Sequence, residues 1–147
     1  MTESPESQPS EPINTLLKAF SSYAEGLDDS FFAELVPYLS QLAVSEGHVL
    51  FKQGDVPDGL YLIEHGVLRA MYRFKVEHAS TVEESMVSGT LAGELSALSG
   101  LPRNATVVAE RQSVLWKLSL EELERLEKDR PDTAKTFIKL VLKGASI

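Results

Sequence analysis

Ala92-Gly93-Glu94-Leu95-Ser96-Ala97-Leu98-Ser99-Gly100-Leu101-Pro102-Arg103-Asn104-Ala105-Thr106-Val107-Val108 is the stretch that decides how this chain is read. It begins and ends in apolar residues typical of strands. Between them, Gly93 and Gly100 bracket a short run with helical character. One carboxylate, Glu94, and one guanidinium, Arg103, stand nine positions apart. Arg offers a planar fork of donors that matches the oxygens of a phosphate and stays charged when desolvated. A carboxylate accepts hydrogen bonds from hydroxyls. A short helix opened by Gly93 aims free N–H groups and a positive dipole end at an anion. Met without context, a Glu and an Arg at this spacing would be a surface ion pair worth about 0–1 kcal/mol.

The surrounding chain sharpens the contrast. It has 147 residues with a formal charge of −8, 43% hydrophobic and 24% charged residues, and no cysteine. The length suits one domain with a real core. The acidic balance argues against a nucleic-acid surface and against anionic lipid. An arginine expected to bind an anion inside such a protein is therefore a local exception. Disulfides and cysteine-based zinc sites are excluded. His48, His65 and His78 lie apart, without metal-ligand spacing. No apolar run approaches the roughly 18 residues of a membrane span. The polar, acidic N-terminus is unlike a signal peptide, so a cytoplasmic location is expected, with no direct membrane insertion. No catalytic constellation is apparent, and the chain is not expected to be an enzyme.

Outward from the central stretch, periodicity divides the chain into helices, strands and helices. Residues 1–12, with Pro5, Pro9 and Pro12, are too polar to bury and read as a disordered tail before a domain over 13–147. Ile13, Leu16, Leu17, Phe20 and Tyr23 form a helical stripe ended by Gly26. Asp28 or Asp29 caps a second helix carrying Phe31, Phe32, Leu35, Val36 and Leu39, and Pro37 forces a kink or a new turn. From about 42 to 118, short β-branched and aromatic runs alternate with Glu46-Gly47, Gln53-Gly54-Asp55, His65-Gly66 and Ser88-Gly89, the pattern of a small barrel or roll. Within it, Phe74 to Glu84 is polar and reads as a hairpin loop. Trp116 alternates with Val114 and Leu118 and is expected in the core. Ser119-x-x-Glu122 is a capping box, and Pro131 opens a last helix with Ala134, Phe137, Ile138, Leu140 and Val141 on its apolar side and Gly144 as its stop.

With these residues in place, the central stretch resembles the phosphate-binding cassette of cyclic-nucleotide-binding domains. The resemblance extends upstream through Gly47-His48-Val49-Leu50-Phe51-Lys52-Gln53-Gly54-Asp55 and Gly59-Leu60-Tyr61-Leu62-Ile63-Glu64-His65-Gly66, and covers roughly residues 30–143. It implies a mainly β fold, an antiparallel jelly-roll-like β roll with helices at both ends. It also implies a regulatory domain that takes cAMP or cGMP as a ligand and needs no other cofactor. By position, Arg103 would hold the cyclic phosphate and Glu94 would accept from the ribose 2′-hydroxyl. Gly93, Leu95, Ser96 and Ala105 would frame the phosphate, chiefly through backbone groups, Asn104 would occupy the position after the arginine in the site, and Thr106 would follow at the start of the next strand.

Leu95, Ala97 and Leu98 would pin the cassette to the roll. Phe137, Ile138 and Val141 are candidates for a lid over the base, with the segment before Pro131 as its hinge, and each also reads as core. Two departures stand out. Ala92 replaces the aromatic residue usual before Gly-Glu. Asn104 occupies the position where cGMP-preferring members often carry Thr, so cAMP is favoured. If Arg103 faces the pocket, its removal should leave the fold intact. A narrower likeness to the cytosolic C-terminal domain of fungal SulP-type transporters implies an alternative. In that reading the domain binds no ligand and serves self-association or docking within a larger membrane protein.

Overall fold

The computed structural model describes residues 11–20, 27–73 and 81–145. Residues 1–10 of the expected tail, and Tyr23, Gly26 and His78, lie outside the described residues. Helix α1 (Glu11–Ala19) starts two residues earlier than the periodicity suggests, taking Glu11 and Pro12 into its first turn. An early proline is tolerated there because the first N–H groups of a helix have no intrahelical partner. Helix α2 (Asp29–Leu35) is capped by the Asp28 carboxylate, which accepts from the Phe31 N–H at 3.0 Å. The chain then tightens into a 3₁₀ turn, Val36–Tyr38, with Pro37 inside it, so the proline marks a new turn and not a bent helix.

Among the described residues eight strands follow: β1 (Ser40–Val44), β2 (Val49–Phe51), β3 (Gly59–His65), β4 (Val67–Arg73), β5 (Thr81–Val87), β6 (Leu91–Ala92), β7 (Thr106–Ala109) and β8 (Ser113–Ser119). They form two four-stranded sheets, ordered β1-β8-β3-β6 and β2-β7-β4-β5, in which every pairing is antiparallel. The segment read from sequence as a loop through Glu84 is a strand from Thr81 onward. Its partner β4 supplies the cross-strand contacts that its own polar composition does not advertise. The short helix α3 (Glu94–Ser99) lies between β6 and β7, and α4 (Leu120–Asp129) and α5 (Pro131–Ala145) complete the described chain. Gly144 is no stop: α5 runs one residue past it.

The first sheet is covered on both faces, and β3 shows why. Its alternate residues Leu60 and Leu62 face the helices, together with Leu16, Phe20, Phe32, Leu35, Trp116, Leu118, Leu126 and Phe137. The intervening Tyr61 and Ile63 face the second sheet, with Phe51, Leu68, Ala70, Ala92, Val107 and Leu115. Period-two side chains thus feed two cores from one strand. Ala92 pairs directly with Tyr61, and the Tyr61 and Phe51 rings, 6.2 Å apart, fill the roll beside it. That is where the aromatic residue missing at Ala92 is made good. Trp116 is buried as expected, its indole N–H donating to Glu64 at 2.7 Å.

The helical layer is tied by polar contacts as well. The Thr133 hydroxyl donates to Glu34, joining α5 to α2, and Tyr38 donates to Asp129 at 3.0 Å, joining the 3₁₀ turn to α4. Ser119 caps α4 by accepting from the Glu122 N–H, while the Glu122 carboxylate turns to Arg125 at 2.6 Å and does not reach back along the chain. Phe137 and Val141 are fully buried against this layer, and Ile138 packs on its edge. Truncating Phe137 to Ala should therefore lower the unfolding free energy by about 3–5 kcal/mol, read from urea denaturation. A loss under about 1 kcal/mol would place the ring outside the core.

Candidate functional site

Gly93 begins the site. Its φ of +76° is left-handed, and a Cβ built there would meet Nη1 of Arg103 at 2.5 Å and the Phe51 ring at 3.1 Å. Only glycine satisfies both the turn and the close approach. Gly93 is the N-cap of α3 and has no side chain to cap it, so the first N–H groups of α3 receive no cap from this residue.

Arg103 lies immediately beneath. Its side chain is 2% exposed and its terminal nitrogens are committed. Nη1 donates to the Gly93 carbonyl at 2.9 Å and to the Ser96 hydroxyl at 3.1 Å. Nη2 donates to the Gly59 carbonyl at 2.7 Å and to Oδ1 of Asp58 at 3.2 Å. The guanidinium also lies over the Phe51 ring, 4.0 Å from its centroid. Its backbone is held too: the Arg103 N–H donates to the Asp55 carbonyl and the Arg103 carbonyl accepts from Gly54 N–H, each at 2.8 Å. This overturns the expectation of a pocket-facing arginine whose loss the fold would not notice. A buried cation must be fully satisfied, and this one is satisfied by the protein itself.

Asp58 was not legible as a site residue. Its only sequence signal is its place in the Pro57-Asp58-Gly59 turn that starts β3. Its second oxygen, Oδ2, accepts from Lys117 at 2.7 Å, and its carbonyl accepts from the N–H of Leu120, the first residue of α4. Burial acts to raise the Asp58 carboxyl. The hydrogen bond and charge of Lys117, with the charge of Arg103, outweigh it and hold the group below its ordinary 3.8. Burial likewise works against the Lys117 ammonium, and its bond to Asp58, together with the charge of Asp58 and the neighbouring Tyr61, more than offsets this.

A cavity of about 390 Å³ opens on the other side of the cassette. Gly93, Glu94, Leu95, Ser96, Asn104 and Ala105 line it, and so do Phe51, Tyr72, Glu84 and Met86. Six of the eight residues expected at the site therefore converge on one space. Arg103 and Thr106 do not line it: Arg103 lies below, and the Thr106 hydroxyl accepts from the Gln53 N–H at 2.9 Å. Glu94 is half-buried, and burial, then the nearby charge of Glu84, raises its pKa. Leu95 and Leu98 do not pin the cassette: they are 54% and 38% exposed, and Ala97 alone is buried. With one helical turn between them, only one face of α3 can meet the roll. The proposed lid residues Phe137, Ile138 and Val141 are absent from the cavity wall.

A profile of the family described as "Cyclic nucleotide-binding domain" matches residues 41–130, more than half the chain, and the chain belongs to that family. It is similar to a cAMP-dependent protein kinase regulatory subunit of Blastocladiella emersonii, 32% identical over 103 residues that cover 70% of this chain and 25% of that protein. A type II regulatory subunit of Drosophila melanogaster is 35% identical over 83 residues, covering 56% of this chain and 20% of its own length. The chain thus spans about a quarter or less of these relatives. Among solved structures, a cyclic nucleotide-binding domain from Methylobacillus flagellatus superposes with a TM-score of 0.82 at 21% identity, covering 91% of this chain and 76% of that one. That superposition bears out the antiparallel roll with flanking helices. None of these relatives is a transporter. Among the described residues, no helix is long and apolar enough to cross a membrane, and no cluster of His, Cys, Asp or Glu is arranged to hold a metal.

The Asp58 carboxyl is lowered in the folded state, so its contribution to stability is present above the unfolded pKa and is lost as pH falls through the folded one. The stability gap between the native protein and Asp58→Asn should be open at pH 7 and narrow below about pH 4. Urea titrations of both proteins at pH 7 and pH 3 check this. A gap independent of pH would mean that the Asp58 charge does not hold the site.

Proposed function

We propose that this chain is a regulatory domain that binds a 3′,5′-cyclic nucleotide, with cAMP as the preferred ligand. The observation that carries this is the convergence of the cassette residues on one cavity of about 390 Å³, a size ordinary for a small-molecule site. In this reading, Glu94 accepts from the ribose 2′-hydroxyl. The phosphate lies at the start of α3, framed by the backbone of Gly93, Leu95, Ser96 and Ala105, and Asn104 stands beside it. Binding would draw the Arg103 Nη groups away from the Gly93 carbonyl and the Ser96 hydroxyl. The domain therefore has two states, and ligand shifts the balance by its differential affinity for them. The cAMP-dependent kinase relatives, and the absence of Thr after Arg103, support adenine as the base.

A second reading has its own observation. Both terminal nitrogens of Arg103 are already engaged by the protein, which is what a purely structural pin would show. The domain would then be a ligand-free interaction or self-association module. The relatives found do not favour a SulP-type transporter as its parent.

Calorimetric titration with cAMP, then cGMP, separates the two. Micromolar or tighter binding supports the first. No heat and no thermal shift at millimolar ligand supports the second. Within the first, Glu94→Gln should weaken cAMP binding by about 1–3 kcal/mol, the scale of a hydrogen bond to a charged group. Unchanged affinity would remove Glu94 from the ribose. Arg103→Lys should lose both affinity and folding stability, because the lysine cannot reproduce the bonds now made by two nitrogens.

A further inference from the structure

The cavity extends past the cassette to the inner face of β4 and β5. Here the register is fixed: Leu68 pairs with Met86, Ala70 with Glu84, and Tyr72 with Val82. Directly opposed residues in an antiparallel ladder share a face. Leu68 and Ala70 belong to the core of the roll, so Glu84 lies on that same face, at its solvent-exposed margin, and lines the cavity. The adjacent Glu83 projects outward, where it pairs with Arg69 at 3.7 Å. Opposite a residue as small as alanine, this carboxylate borders open cavity in place of a packed neighbour.

That carboxylate is held in place. The Tyr72 hydroxyl donates to Oε1 of Glu84 at 2.9 Å. Burial, then the bond and charge of Glu84, then the charge of Glu94, push the Tyr72 phenol up to about 12, so it remains a donor at any working pH. Tyr72 and Met86 both pack on the core of the roll, which fixes the platform around Glu84. Among the described residues, Tyr72 alone donates to Glu84, and it takes one oxygen of a carboxylate that lines the cavity. An ionised carboxylate can only accept. It rewards an N–H on the ligand and repels a carbonyl oxygen.

Resting on the cyclic-nucleotide reading, we propose that Glu84 is a base-selecting residue: its free oxygen accepts from the 6-amino group of adenine and turns away a purine with a 6-oxo group. Adenine offers one amino group beside ring acceptors, which suits a carboxylate with one oxygen already taken. The paired N–H donors of guanine call for both oxygens. Tyr72 is the positioning residue.

Cyclic inosine 3′,5′-monophosphate tests this, because it differs from cAMP only in carrying the 6-oxo group and the ring proton that goes with it. Calorimetry on the whole chain should show the native protein preferring cAMP by roughly tenfold or more, the scale of one charge-assisted bond gained or lost. Glu84→Gln, whose amide can donate to an oxo group, should bring the ratio close to one, and Tyr72→Phe should lower it part of the way. The thermal midpoint of each unliganded variant shows that it is folded. A ratio that is the same in the native protein and Glu84→Gln overturns the assignment while leaving cyclic-nucleotide binding in place. No binding of either nucleotide by the native protein overturns both, and is seen before any variant is made.

Discussion

The guanidinium of Arg103 is the constraint around which the site is built. Removing a charge from water costs several kcal/mol unless every donor is met. The chain surrounds the two terminal nitrogens with two carbonyls, one hydroxyl and one carboxylate, and lays the face of a phenyl ring against the group. These partners come from far apart in sequence: Phe51 at the end of β2, Asp58 and Gly59 at the start of β3, and Gly93 and Ser96 around α3. The arginine therefore fixes where three parts of the roll meet. The glycine at 93 follows from it, since any side chain there would collide with the guanidinium. So does the short helix, whose position is set from below by Arg103 and whose leucines are free to stay in solvent.

A second constraint is the sheet that serves two cores. Because β3 and β8 are buried on both faces, the helical layer and the roll share a wall. The last helix is part of that wall's outer packing. Its apolar side is consumed by the sheet and by α2, which is why residues suited by chemistry to cover a base are found in the core instead.

Much of this was legible in the sequence. Three-to-four-residue spacing gave α1, α2, α4 and α5, and turn glycines separated most strands, because both signals are local. The cassette was legible because its glycines, proline and charges keep one spacing. What was not legible depends on partners distant in sequence. Thr81–Glu84 looks like a loop until β4 is laid beside it. Asp58 is one acidic residue among many until the fold brings Arg103 and Lys117 to its two oxygens. Arg103 was legible as part of the cassette but its partners were not, since spacing locates a residue and says little about the direction of a long side chain. Glu84 carried no signal at all, because which face of a strand is interior follows from register.

Asp58 is also a joint between layers. Its carboxylate is bound to Arg103 and Lys117, and its own carbonyl holds the first N–H of α4. The distance from the cassette's cation to the beginning of the C-terminal helices is thus a single residue, with no chain of intermediates to absorb a displacement. Beside the shared wall of β3 and β8, this residue is a rivet between the two layers, touching the buried cation with its side chain and the first turn of α4 with its backbone.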